Sequence, residues 1–161
     1  MVALKLFLIG SKLTFAQVAK ELGMSVSEVH GSVKRLEQAR LVEPQSRRVR
    51  LKALKEFLVS GVPYVFPAKP VEITRGKPTA WGAKVLNQVV SSGHTEVPVW
   101  PDPNGKTKGV ALDPLYRSAA KASANDSRLY DLLALVDALR AGRIRERNLA
   151  AEELQKRLSH V

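Results

Sequence analysis

Two helix-start signals constrain this chain more than any other feature. Thr14 is followed three residues later by Gln17, and Ser25 is followed three residues later by Glu28. In each pair the hydroxyl can accept from an unpaired amide of the first helical turn, while the longer side chain accepts from the backbone of the hydroxyl residue. These capping boxes predict two short helices, about 15–22 and 26–40. Gly23 marks the turn between them, because a residue without a β-carbon adopts positive φ cheaply.

Both predicted helices are amphipathic. Their apolar residues recur at the three-and-four spacing of a buried stripe, Phe15, Val18, Ala19 and Leu22 in the first and Val26, Val29, Val33 and Leu36 in the second. The other side of the second helix is polar and presents Ser27, Gly31, Lys34, Arg35 and Gln38, with His30 on its flank. Two short helices joined by a tight turn have the layout of a helix-turn-helix, whose second helix lies in the major groove of DNA.

The predicted DNA contacts follow from that layout. The N-terminal part of the second helix approaches base edges, which assigns Ser25, Ser27 and His30 there, while Lys34 and Arg35 approach phosphates and Gln38 continues the same face. The alternative is a solvated basic face on an ordinary helical protein. A metal site at His30 is not expected, because no second His or Cys lies at ligand spacing.

The residues after the helix pair predict a small β-wing. Leu41 and Val42 start a short strand, 44–46 turn it, and 47–50 return it. Arg47, Arg48 and Arg50 give this wing a basic tip where phosphate contact is expected. A helix over about 51–60, ended by Gly61, follows the wing, and 2–9 predicts a first helix before the pair.

The arrangement over 4–60 resembles the winged helix-turn-helix of bacterial and archaeal MarR-type regulators. More specifically, three segments resemble a prokaryotic family of winged-helix proteins of uncertain role, namely VAKELGMSVSEVHGSVKRLEQARLV, EFLVSGVPYVFPAKPVEITRGKPTAW and RLYDLLALVDALRAGRIRERNLAAEEL. The similarity covers nearly the whole chain. It implies a sequence-specific DNA-binding regulator, by analogy of fold.

Charge supports a polyanionic partner. The formal net charge is +11, and residues 1–60 hold 11 cations against 5 anions. There is no cysteine, which removes disulfides and thiolate catalysis and fits a cytoplasmic location. The apolar run VALKLFLIG is too short to span a bilayer, so no membrane or targeting segment is expected.

The middle of the chain changes character. Residues 61–67 predict a short extended strand, and 68–83 an irregular connection. Thr95 to Trp100 and Thr107 to Leu112 alternate like strands, and the Asn-Gly pair between them predicts a β-hairpin. The aromatic residues of this region line a ligand pocket or, alternatively, cover the small sheet: Tyr64, Phe66, Trp81 and Trp100.

The last third predicts a helix pair. One helix runs over 127–141, capped by Asp126 and ended by Gly142, and the second over 143–158 through Ile144, Leu149, Leu154 and Leu158. Such a pair either makes a homodimer or packs within the molecule. The expected fold is mainly α with a small β part (α+β), divided into a winged helix-turn-helix at 1–61, a hairpin region at 62–112 and a helical extension at 113–161.

These features predict a DNA-binding transcriptional regulator without cofactor, metal or enzymatic activity. The three histidines, His30, His94 and His160, are dispersed, and neither a phosphate-binding glycine loop nor a nucleophile set is present in the sequence. Two alternatives remain. One is an antitoxin-like or adaptor protein that binds a partner through its C-terminal helices, and the other is an RNA-binding winged-helix protein whose aromatics stack bases.

Overall fold

A computed structural model describes residues 1–87 and 96–159. The chain is a mixed α+β protein. The middle of the chain forms a small three-stranded sheet, and helices come before and after it in the sequence. The helices are α1 (Val2–Ile9), α2 (Phe15–Leu22), α3 (Val26–Gln38), α4 (Leu51–Glu56), α5 (Val62–Val65), α6 (Lys84–Asn87), α7 (Ala119–Ala122), α8 (Ser127–Ala141) and α9 (Ile144–Arg157). The strands are β1 (Ile73–Pro78), β2 (Pro98–Pro101) and β3 (Thr107–Ala111).

The predicted helices of the first 40 residues are confirmed. Helix α2 has the predicted bounds, and α3 begins as predicted but ends two residues early. Val18, Ala19 and Leu22 are buried on α2, as Val29 and Val33 are on α3. The burial predicted for Val26 is wrong, since its side chain is 49% exposed. Val26 occupies the first turn of α3, before the helix meets the core.

The region after α3 departs from two predictions. Gly61 does not end the fourth helix, because its φ of −102° lies outside the left-handed region, and the chain continues through a π-turn (Phe57–Gly61) into α5. The extended strand expected over 61–67 is therefore wrong. Pro63 lies at the start of α5, where a missing N–H costs no helical hydrogen bond.

The hairpin predicted for the middle region is also wrong. Strands form at 98–101 and 107–111, but β2 and β3 run parallel, pairing Pro98 with Val110. A two-residue type I′ turn needs positive φ at both central residues, and neither Asn104 nor Gly105 has it. The predicted start of the first strand, Thr95, lies outside the described residues, as do His94 and His160.

The strand missed by the sequence is β1, which pairs antiparallel with both β2 and β3 and closes a small barrel. The loop 102–106 carries the chain across β1 at Gly76, so β3 returns on the other side. A methyl group at Gly76 would overlap the carbonyl of Trp100, and one at Gly105 would overlap the backbone of Gly76. Gly76 lies in the segment predicted to be an irregular connection and Gly105 in the predicted hairpin turn, but both glycines permit the crossing.

Helix α8 is the centre of the molecule. It has the predicted bounds and its Asp126 cap, and its residues 132–139 are buried on every side. One hydrophobic cluster joins α8 to residues of α1, α2, α3 and the barrel. The intramolecular alternative therefore describes α8, and its apolar side chains are occupied within the chain. The prediction that Ile144 lies on the apolar side of α9 is wrong. Its side chain is 79% exposed at the first position of the helix.

A buried polar network ties the barrel to α8. Asp137, 1% exposed, accepts from Thr79 Oγ1 at 2.8 Å and from Trp100 Nε1 at 2.5 Å through one oxygen. Its other oxygen accepts from the Arg140 guanidinium at 2.6 Å. Burial raises the pKa of Asp137, and Arg140 opposes that shift. Tyr130 on the same helix donates to the carbonyl of Pro78 at 2.6 Å.

Candidate nucleic-acid interface

The exposed side of α3 is held in place by its own first turn and by the turn before it. Both predicted capping boxes are present. Ser25 Oγ accepts from the amide of Glu28 at 3.2 Å, and Glu28 Oε2 accepts from the amide of Ser25 at 2.7 Å. Gly23 adopts the predicted left-handed conformation, with φ of 61°. The Ser25 hydroxyl is thus used as the acceptor of the helix cap.

The polar residues predicted for α3 do lie on its exposed side. Val29 and Val33 are buried below them, and the exposed side chains are Ser27, His30, Lys34, Arg35 and Gln38. His30 packs edge-on against Phe15 of α2, with ring centroids 5.4 Å apart. This contact fixes the imidazole on the flank of α3, next to the start of α2. Within 1–87 and 96–159 no group of three His, Cys, Asp or Glu is placed to hold a metal ion.

A carboxylate at the start of α3 is neutralised from a distant part of the chain. Glu28 Oε1 accepts from the Tyr116 hydroxyl at 2.5 Å and from the Arg117 guanidinium at 2.9 Å. The hydrogen bond from Tyr116, with those of the Ser25 cap, lowers the pKa of Glu28 to about 2. Arg117 itself keeps 80% of its side chain exposed beside the helix start. These residues could not be predicted from the sequence, because no local spacing links positions 88 residues apart.

The same segment also braces α2. The Ser118 hydroxyl donates to the carbonyl of Leu22 at 2.5 Å, which satisfies an unpaired group at the C-terminal end of α2. Ser118 Cβ lies 3.5 Å from the position that a β-carbon on Gly23 would take. Residues 116–118 therefore contact both helices at their junction, and we call this segment the brace.

The loop after α3 folds back over 41–50, but it forms one isolated bridge and not the two short strands predicted for the β-wing. Val42 pairs with Val49 in an antiparallel bridge, and the amide of Glu43 donates to the carbonyl of Arg48 at 2.8 Å. Pro44 to Ser46 make the turn, with Gln45 at φ of 63°. Arg48 and Arg50 are exposed.

Arg47 differs from its two neighbours in the loop. Its guanidinium donates to the carbonyl of Leu13 at 2.8 Å and stacks over the Phe15 ring, 5.1 Å from the centroid. The side chain is half-buried, and it anchors the loop to the start of α2. Arg48 and Arg50 are therefore exposed on the loop, whereas Arg47 has an intramolecular role that the sequence did not indicate.

The aromatic residues of the middle region do not form one pocket. Trp81 and Trp100 are buried, whereas Tyr64 is 76% and Phe66 46% exposed. The expectation of a shared pocket is wrong for Tyr64 and Phe66. Their rings are exposed because residues 62–65 form a helix. Trp100 instead belongs to the core network around Asp137.

No family model, curated protein or solved structure matches this chain. Among the helices of the described ranges, none has the length and apolar content needed to cross a bilayer.

Proposed function

We propose that this protein binds duplex DNA and regulates transcription, with α3 in the major groove and the 43–50 loop acting as a wing against the backbone. The observation that carries the proposal is the composition of the exposed side of α3. Short hydrogen-bonding side chains, Ser27 and His30, lie near the start of the helix, and Lys34 lies further along. That order matches base readout by the first turns and phosphate contact by the later ones.

Electrostatics supports the same proposal. Glu28 is the anion nearest the start of α3, and its charge is balanced by Arg117 and hydrogen-bonded by Tyr116. Arg117 stays exposed and adds a cation beside the helix start, where a DNA phosphate is expected. Arg48 and Arg50 on the loop add two more exposed cations that can contact phosphates.

The test is fluorescence anisotropy with duplex DNA from the region upstream of the protein's own gene, against a scrambled duplex, at two salt concentrations. A preference for the upstream duplex with a modest salt slope supports base readout. Equal binding that collapses as salt rises leaves only counterion release and contradicts sequence-specific regulation.

A matched pair of variants separates this surface from the general positive charge. The test variant carries Lys34→Ala, Arg48→Ala and Arg50→Ala, and the control carries three exposed cations changed elsewhere, Lys69→Ala, Arg75→Ala and Lys108→Ala. Both lose three charges, so a nonspecific polyanion effect weakens both alike. The proposal requires a loss of about a hundredfold or more in the test variant only. Arg47 is left intact because it anchors the loop.

A further inference from the structure

A cleft lies beside α3, and Arg35, one of the residues predicted to contact phosphate, is on its edge. It has a volume of about 490 Å³, within the range of small-molecule sites, and runs between α1, α3 and the α4–α5 helix. Its described lining has apolar side chains apart from Ser32, Arg35 and Tyr116, and it includes Met1, whose α-amino group is buried. The cleft is thus an apolar space with few polar groups.

Ser32 and Arg35 lie on one stripe of α3, and Tyr116 contacts the same stripe at Glu28. Glu28, Ser32 and Arg35 are spaced four and three residues apart, which places them on one side of the helix. Arg35 Nη2 donates to Ser32 Oγ at 3.1 Å, and the Tyr116 hydroxyl is bonded to Glu28 one turn earlier. The cleft therefore has a polar end along α3 and an apolar remainder.

The charge at the polar end is positive. Arg35 donates to the neutral Ser32 hydroxyl, and in the part of the chain that the structure describes it has no carboxylate within ion-pair distance. The nearest acid on the stripe, Glu28, is already paired with Arg117. A guanidinium remains charged at all physiological pH and binds a carboxylate through two parallel hydrogen bonds.

The opposite wall is shaped by an irregular helix. Phe57, Leu58 and Val62 line the cleft from the π-turn and α5. A β-carbon on Gly61 would lie 2.7 Å from the Phe57 ring, so only glycine lets that ring lie across the turn. Single π-turns inside helices occur frequently at functional sites. Here the turn sets the position of an aromatic wall.

We infer that this cleft binds an amphipathic monocarboxylate, with its alkyl or aryl body against the apolar walls and its carboxylate on Arg35. The ligand class follows from the apolar side chains of the lining and the charge of Arg35. The site stands whether or not the proposed function is correct, because none of its evidence depends on DNA.

The test is isothermal titration calorimetry of the full chain with octanoate, octan-1-ol and octylammonium, which share one alkyl chain and differ in head group. Octanoate is expected to bind with 1:1 stoichiometry and about tenfold more tightly than the alcohol, with the ammonium weakest. Absence of octanoate binding, or equal binding of the three, overturns the inference.

Two variants locate the binding. Arg35→Gln is expected to weaken octanoate about tenfold without changing octan-1-ol, whereas the adjacent Lys34→Gln, which does not line the cleft, changes octanoate less than about threefold. Equal losses in both variants would show general attraction to a basic protein and would overturn the inference. Ala39→Trp, at an exposed rim position, is expected to abolish both ligands by filling the cleft. Thermal melts confirm that each variant is folded.

Discussion

Replacing Asp137 by alanine is expected to remove a large part of the stability of this protein. The carboxylate is 1% exposed and has three donors, Thr79, Trp100 and Arg140. The Arg140 side chain is only 6% exposed, so the mutation leaves a nearly buried cation without its counter-charge. It also leaves a buried hydroxyl and a buried indole N–H without acceptors.

The magnitude follows from these losses. Removing one partner of a buried ion pair costs about 3–5 kcal/mol, because the remaining charge stays desolvated. Arg140 retains hydrogen bonds to the carbonyls of Phe66 and Asp113, at 2.7 and 3.0 Å, which limits the loss. We therefore expect about 4 kcal/mol for Asp137→Ala, against a total stability of about 5–15 kcal/mol for a domain. Asp137→Asn keeps one acceptor oxygen and is expected to lose about 1.5–3 kcal/mol.

The assay is urea denaturation followed in parallel by tryptophan fluorescence and far-ultraviolet circular dichroism. Asp113→Ala is the control, since that exposed side chain makes no described hydrogen bond, and it is expected to stay within about 0.5 kcal/mol of the wild type. The double variant Asp137→Ala with Arg140→Met removes both charges and is expected to be more stable than the single Asp137→Ala. A single variant within about 1 kcal/mol of the wild type, or a double variant that shows simple additivity, would refute the reasoning.

Three further predictions concern the helix pair and the barrel. Gly31→Ala is expected to stabilise the protein by about 0.5–1 kcal/mol in urea denaturation, because its β-carbon would meet only the flexible Arg35 guanidinium at 3.4 Å, and a destabilised variant contradicts this. The pKa of Glu28 is lowered from its ordinary value of 4.5 to about 2 by its hydrogen bonds, so the folded state binds fewer protons than the unfolded state between those values. The stability that Glu28 contributes is thus present above pH 4.5 and is lost on acidification. The difference in melting temperature between wild type and Glu28→Gln should therefore shrink from pH 6 to pH 3. A difference that stays constant would contradict this prediction. Gly76→Ala is expected to destabilise the barrel by several kcal/mol, about the upper range for single substitutions, because the backbone of Trp100 occupies the space of the added methyl group. An unfolding curve unchanged from wild type would disprove the close crossing of the chain at Gly76.

The parts of this fold that the sequence predicted are those set by neighbours in the chain. The capping boxes at Thr14 and Ser25, the turn at Gly23 and the cap at Asp126 all depend on residues within three or four positions. Their hydrogen bonds join residues that are close in the sequence, so residue types and spacing identify them.

The parts that failed depend on contacts between distant positions. Gly76 lies in a segment predicted to be irregular, because the sequence does not show that β2 crosses it closely. Asn104-Gly105 indicates a hairpin, because the sequence does not show that β1 pairs with both flanking strands while these run parallel. Val26 and Ile144 match the helical spacing of buried residues, but each lies in a first turn that the core does not reach.

The residues of the candidate site also divide into those that local spacing predicts and those that depend on distant contacts. Ser27, His30, Lys34 and Gln38 follow from the period of one helix, and the structure places them on one exposed side. Arg47 and Arg48 look equivalent in sequence, and only the position of Leu13 and Phe15 distinguishes them. The brace at 116–118 has no signal near α3 in the sequence, because its partners are 88 to 96 residues away.

The central position of α8 has a consequence for how the protein is made. A ribosome releases α2 and α3 long before it releases α8 and the brace, so the early helices emerge with caps but without most of the surface that covers their apolar sides. Lys5 pairs with Glu21, which is made soon after it, and at 2.7 Å with Asp126, which is made 121 positions later. Contacts of such long sequence separation slow folding. The nascent helix pair is therefore expected to expose apolar surface during synthesis and to acquire its final orientation only after α8 has emerged.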